Sequence, residues 1–212
     1  MKYNFLVIEG NIGSGKTNLA KQIAKDFNGK LILEEFADNP FLTNFYQEAE
    51  KNALPLELFF MAERFHQLND KKNKSDLFSE LVVADYSFFK SKLFAQINLN
   101  EDELNLFNRL YDIMFSSVKK PELLIYIHSK VERLQQNIKL RGRKFEQEIK
   151  DEYLKSIEEK YFDYLKKQRD FPVLIIDVSS IDFVNNKDSY KKILNEINIM
   201  KDEDQMSSII LD

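Results

Sequence analysis

Residues 10–17 of the chain read GNIGSGKT, which satisfies the pattern G-x-x-x-x-G-K-[ST]. The chemistry such a loop supports is the holding of a nucleotide's phosphates. Its glycines permit backbone conformations that turn N–H groups inward around phosphate oxygens, and a helix starting there adds the positive end of its dipole. Lys16 is the cation placed to reach the β- and γ-phosphates, and the Thr17 hydroxyl is placed to ligate Mg²⁺. Gly10, Asn11, Ile12, Gly13, Ser14, Gly15, Lys16 and Thr17 are therefore the expected cradle for ATP. A glycine-rich turn can match this pattern by chance. Here the strand-like run Tyr3–Glu9 precedes the loop and the helix-like run Lys16–Phe27 follows it, which is the context the mechanism requires.

GTPases, transport ATPases, motors and metabolite kinases all share such a loop, so other residues must separate them. A guanine-reading N-K-x-D motif is matched in letters at Asn73–Asp76, but in a charged loop before the third strand-like run rather than after a late one. No signature of an ABC-type ATPase is visible. Glu34 and Glu35 end the second strand-like run. Ligands of open parallel sheets bind beyond the carboxyl ends of strands, where a carboxylate can take the proton of a substrate hydroxyl; a solvated strand-end acid is the rival reading. Asp85 ends the third such run and can reach Mg²⁺ directly or through water, with a capping role as its rival. Arg141 and Arg143 flank Gly142 far down the chain. Two guanidiniums on a mobile segment can close over ATP and neutralise the phosphoryl group in transit, although a basic loop needs no such purpose. Together these residues imply a small-molecule kinase.

The elements that must position them follow from hydrophobic periodicity. Apolar runs at Tyr3–Glu9, Lys30–Glu35, Leu81–Asp85, Glu122–Ile127 and Pro172–Asp177 read as buried strands. Helices are expected over Lys16–Phe27, Phe41–Glu50, Pro55–Leu68, Phe88–Ile97, Glu103–Val118, Lys130–Leu140, Lys150–Gln168 and Ser189–Ile199. The run Pro55–Leu68 is apolar nearly all round, so it must be covered on most sides, and its polar members Glu57, Glu63 and Arg64 need partners. Its Phe59-Phe60-Met61 stretch reads as core, with one Phe able to stack on a base. Strands alternating with helices imply an α/β fold of the P-loop NTPase type: a five-stranded parallel sheet with helices on both faces. One domain over 1–212 suffices, with a lid at about 137–149 and a loose tail at 201–212.

Composition bounds the partners. The 212 residues are 43% hydrophobic and 31% charged, which suits a globular enzyme. A net charge of −4 argues against a nucleic-acid polymer, which calls for a basic face. The absence of cysteine removes disulfides and thiolate metal sites, and two histidines, His66 and His128, are too few for a multi-histidine centre. No apolar run reaches the roughly 18 residues of a membrane span, and the N-terminal run has no leader pattern, so a cytoplasmic enzyme is expected.

Four pieces of the chain, GNIGSGKT, EEFADNP, ADYS and LRGRKFEQ, resemble the deoxyribonucleoside kinase family of P-loop enzymes, from the first strand to the helix after RGR. That resemblance implies phosphorylation of a deoxynucleoside 5′-hydroxyl with ATP and Mg²⁺, and a homodimer formed through helices, for which the stripe on Glu103–Val118 is a candidate. It implies Glu34 as general base, with Glu35 standing where the family has Pro. Glu57 matches a Gln that reads the base edge, and Arg64 an Arg near base and sugar. Tyr46 and Glu146 match the pair holding the 3′-hydroxyl, and Arg141 and Arg143 the lid arginines. Two departures stand out. Tyr86 replaces an Arg after Asp85, for which Lys90 is the candidate substitute, and Asn137 stands where a further lid-side Arg is expected. An ionised Glu57 only accepts hydrogen bonds, so an amino-bearing base is expected; the resemblance of EEFADNP to the bacterial purine-type enzymes implies deoxyadenosine first, with deoxycytidine or deoxyguanosine next. The rivals are a nucleoside monophosphate kinase of the thymidylate kinase type and a nucleotide-binding regulator that has lost turnover.

Overall fold

The computed structural model of the chain describes residues 1–34, 39–70, 81–200 and 205–212. Its strands are β1 (Phe5–Gly10), β2 (Lys30–Ile32), β3 (Val82–Ala84), β4 (Leu123–His128), β5 (Val173–Asp177) and β6 (Met206–Ile210). Among the described residues they form one sheet in the order β2-β3-β1-β4-β5-β6. Every pairing is parallel, with Phe5 opposite Val82 and Leu6 opposite Leu123.

The strands read as unbroken apolar runs because both faces are covered. On one face Leu6, Ile8, Ile125 and Ile176 pack beneath α1 (Lys16–Asp26) and α8 (Lys187–Ile199), which contribute Leu19, Ile23, Ile193 and Ile197. On the other, Val7, Leu124, Tyr126 and Ile175 meet α4 (Lys90–Asn98) and α7 (Asp151–Lys167) through Phe89, Leu93, Ile157 and Tyr161. Successive residues thus serve opposite layers, as the two-residue period of a strand dictates.

Two expectations are corrected. The sheet has six strands rather than five, and the sixth lies in the expected loose tail. Met206–Ile210 pairs in parallel with Val173–Asp177, and Leu211 just beyond it is buried in the apolar core that α1 and α8 also build. A short edge strand with one half-covered face carries little periodicity to read. The helices expected over Phe41–Glu50 and Pro55–Leu68 divide at Glu48 instead, giving α2 (Leu42–Gln47) and α3 (Ala49–Asn69). Pro55 lies inside α3, which forgoes one backbone hydrogen bond there. Beyond them lie α5 (Glu101–Phe115) and α6 (Val131–Arg141).

Strand β1 has β3 on one side and β4 on the other, so the chain's direction of progress reverses around it. The carboxyl end of β1 is therefore the crevice where a ligand site is expected, and Gly10 opens the phosphate loop at that point.

Candidate active site

The phosphate loop is held from three sides. Asn11 Nδ2 donates to the Leu154 carbonyl on α7 at 2.7 Å, while its Oδ1 accepts from Ile12 N–H at 2.8 Å. Asn137 on α6 donates to the Gly13 carbonyl at 2.7 Å, so the residue standing where a lid arginine is expected ties lid helix to loop. Gly13 has φ 82°, and a Cβ there would lie 2.7 Å from the Leu134 carbonyl; only glycine fits. Gly15, at φ 90°, caps α1 beneath the ring of Phe183, whose Cζ would be 2.8 Å from an added Cβ. Burial, reinforced by the Lys90 charge, lowers the Lys16 ammonium to about 8.

Asp85, one residue past β3, joins loop to acceptor side. Its Oδ2 accepts from the Thr17 hydroxyl at 2.6 Å, and its Oδ1 from the Glu34 backbone N–H at 2.8 Å. Glu34, two residues past β2, lies between two cations. Arg64 on α3 donates Nε and Nη2 to Oε1 at 2.9 and 2.6 Å, and Lys90 on α4 donates to Oε2 at 2.6 Å. Burial acts to raise this carboxyl, but Lys90, Arg64 and Lys16 outweigh it and hold it far below the ordinary carboxylate range. Arg64 is itself fixed by a bond to Ser91 Oγ at 2.8 Å and by the face of Phe60, 4.9 Å away. Tyr86 is fully buried and donates to Gln67 at 2.5 Å, so it belongs to the core, and Lys90 supplies the cation beside Glu34.

Glu57 is buried one helical face along α3 from Arg64, with Oε1 accepting from Asn98 Nδ2 at 2.7 Å. The Tyr153 hydroxyl donates in turn to Asn98 Oδ1 at 3.2 Å. Burial raises Glu57 to about 7, against the opposing influence of Arg64, Asn98 and Lys90.

At the end of α6, Gly142 adopts a left-handed φ of 70°, which turns the chain and places Arg141 and Arg143 on either side of a buried Glu146. Arg141 pairs with Glu146 Oε2, and Arg143 donates to Oε1 at 3.1 Å. Glu35 and the side chain of Tyr46 lie outside the described residues, as does the Asn73–Asp76 motif.

Two cavities result. One is lined by Glu34, Glu57, Arg64, Lys90, Asn98 and Tyr153, with Phe60 and Phe94 among its apolar walls. The other runs from Gly13–Thr17 past Arg133 and Asn137 to the segment around Phe183. They share Lys16, Arg141 and Arg143. Phe60, expected in the core with its neighbours, thus faces a cavity, whereas Met61 is buried.

Sequence reasoning missed Asn98, Tyr153 and Glu9. Glu9 is fully buried at the end of β1; its Oε1 accepts from Ser87 N–H and Oγ, both at 2.7 Å, and its Oε2 from the Tyr161 hydroxyl at 2.8 Å. A carboxylate inside an apolar strand directly before the loop was a legible signal. Asn98 and Tyr153 carried none, being ordinary polar residues on amphipathic helices.

The model of the deoxynucleoside kinase family matches residues 6–201. The chain is 34% identical over 193 residues to a deoxyguanosine kinase of Bacillus subtilis, covering 89% of this chain and 93% of that one. It is 28% identical over 208 residues to a deoxyadenosine kinase of Lactobacillus acidophilus, covering 91% and 94%. Among solved structures, deoxyadenosine kinase from M. mycoides with dCMP and a flexible dCDP bound superposes with a TM-score of 0.78 at 23% identity, over 92% of this chain and 99% of that one.

Proposed function

The chain belongs to the deoxynucleoside kinase family of phosphotransferases, and from that premise we propose that it transfers the γ-phosphoryl group of ATP to the 5′-hydroxyl of a deoxyribonucleoside in nucleotide salvage. The observation carrying this reading is the meeting of two cavities at Lys16, Arg141 and Arg143, with Glu34 in the wall of the one that lacks the phosphate loop's glycines. ATP enters along Gly10–Thr17 and the deoxynucleoside lies against α3 and α4.

In this assignment Lys16 and the loop N–H groups hold the donor phosphates, and Arg141 and Arg143 neutralise charge on the phosphoryl group as it moves. Glu34 accepts the proton of the 5′-hydroxyl. Its depressed basicity is tolerable because a loose transition state releases that proton late. Arg64 and Lys90 orient Glu34, with Lys90 standing in for the arginine replaced by Tyr86. Glu57 reads an amino-bearing base, deoxyadenosine first with deoxyguanosine or deoxycytidine as further acceptors, while Tyr46 and Glu146 hold the 3′-hydroxyl. The oxygen pair of Thr17 and Asp85 would hold Mg²⁺, which would supply charge neutralisation at the donor phosphates.

The stripe on Glu103–Val118, the candidate for a homodimer, instead packs largely inward, with Phe107 and Tyr111 against Met61 and Phe88; a homodimer would use the exposed row Leu106, Leu110 and Ile113 on another face of α5. A cytoplasmic location accords with salvage; among the described residues no helix is long and apolar enough to cross a membrane. A monophosphate kinase would need free cations at the acceptor, and Arg64 and Lys90 both engage Glu34.

The test is an ATP-consumption assay with Mg²⁺ and each deoxynucleoside and monophosphate in turn. Turnover with deoxynucleosides, reduced by roughly 10²–10⁴-fold in Glu34→Gln, is the expected result. Turnover with monophosphates alone would instead make Arg64 and Lys90 phosphate ligands.

A further inference from the structure

The far end of the acceptor cavity holds a polar chain running from α7 through α4 to α3: Tyr153 hydroxyl to Asn98 Oδ1, then Asn98 Nδ2 to Glu57 Oε1. It stops at Glu57 Oε2, which is buried and has no partner among the described residues. Glu57 itself lines the cavity. An orphaned carboxylate oxygen in such a place costs stability unless a ligand satisfies it. Resting on the deoxynucleoside reading above, we propose that Glu57 reads the nucleobase through Oε2 alone and in either of two protonation states, and that Asn98 is the positioning residue that dedicates this oxygen to the base.

The amide nitrogen of Asn98 only donates, so Oε1 must accept in both states and the titrating proton resides on Oε2. As a carboxylate, Oε2 accepts from an exocyclic amino group such as N6 of adenine. As the neutral acid, it donates to a ring carbonyl such as O6 of guanine. The groups facing Glu57 are Arg64 on its own helix, Lys90 and Asn98 on α4, Glu34 beyond β2, Tyr153 on α7, and Arg141, Arg143 and Glu146 at the lid. Burial sets its midpoint at about 7, with Arg64, Asn98 and Lys90 pulling it down, so both states exist in the neutral range. A glutamine at this position, its carbonyl held by Asn98, would present a donor alone at every pH.

The experiment measures kcat/KM for deoxyadenosine and for deoxyguanosine, with saturating ATP and Mg²⁺, across the neutral range. The ratio of deoxyadenosine to deoxyguanosine should rise with pH through the midpoint near 7, by about tenfold or more, because the mismatched state leaves a buried group unpaired. In Glu57→Gln the ratio should be flat. Asn98→Leu removes a donor that lowers the Glu57 midpoint, so the rise should move to higher pH; a merely structural defect would reduce both substrates alike. A flat ratio in the wild-type enzyme, or acceptance of one base alone at every pH, overturns the inference and leaves the kinase reading standing. Failure to phosphorylate any deoxynucleoside overturns the reading on which it rests.

Discussion

Glu34 is an anion because of its neighbours. Out of water a lone carboxyl would stay neutral, but three donors from two cations surround it at 2.6 to 2.9 Å. Lys90 holds the outer oxygen, the one Arg64 leaves uncovered. Lys90→Ala should therefore lower kcat by about tenfold or more while changing the acceptor KM little, and Lys90→Arg should restore part of it. Steady-state kinetics of the two variants check this, and near-wild-type turnover in the alanine variant would remove Lys90 from the site. At this scale the sequence was informative where a residue type was out of place. Glu57 and Arg64 stood out as polar members of an apolar helix, and both are buried and line the cavity that Glu34 also lines. Asn98 could not be recognised, because its meaning comes from a contact 41 residues away that exists only after α3 and α4 have packed.

At the scale of elements, the segment proposed as a lid is a helix stopped by a glycine. The left-handed Gly142 bonds back to the Ile138 carbonyl at 3.2 Å and aims Arg141 and Arg143 at one carboxylate. Among the described residues, no atom beyond its chain neighbours lies within 4 Å of where its Cβ would be, so a side chain there meets backbone strain rather than a clash. Gly142→Ala should cost about 1–2 kcal/mol of lid ordering and lower kcat severalfold, whereas Gly142→Asn, which tolerates this conformation, should lose much less. Rates of the two variants, measured side by side, separate strain from bulk; equal losses would refute it. Helix boundaries near the site were readable to within a few residues because amphipathic stripes and the glycine stop are local signals. The division of α2 from α3 at Glu48 was hidden by Pro55, whose preference for a first turn tertiary packing overrode. Strand β6 escaped for a different reason: its pairing partner is β5, and an edge strand is specified by that neighbour more than by its own five residues.

Taken whole, the molecule carries a charge of −4, yet the cavity assigned to the acceptor is lined by five cations, Lys16, Arg64, Lys90, Arg141 and Arg143, and by three carboxyl groups, Glu34, Glu57 and Glu146. Composition was silent about this reversal of sign, since net charge has no address. Low-dielectric walls concentrate such a field. If this cavity takes the nucleoside as proposed, the uncharged acceptor feels little of that field, whereas the monophosphate product carries nearly two negative charges. Departure of product, rather than the phosphoryl step, should then be the slow event of each cycle. Rapid-mixing experiments should show a burst of one product equivalent at low ionic strength. The burst should shrink and kcat should rise as salt approaches about 0.15 M, where the screening length falls to about 8 Å; burst-free kinetics at all salt concentrations would refute it. A cleft that neutralises a phosphate in flight would, by the same arrangement, be a trap with a residence time that the surrounding electrolyte sets.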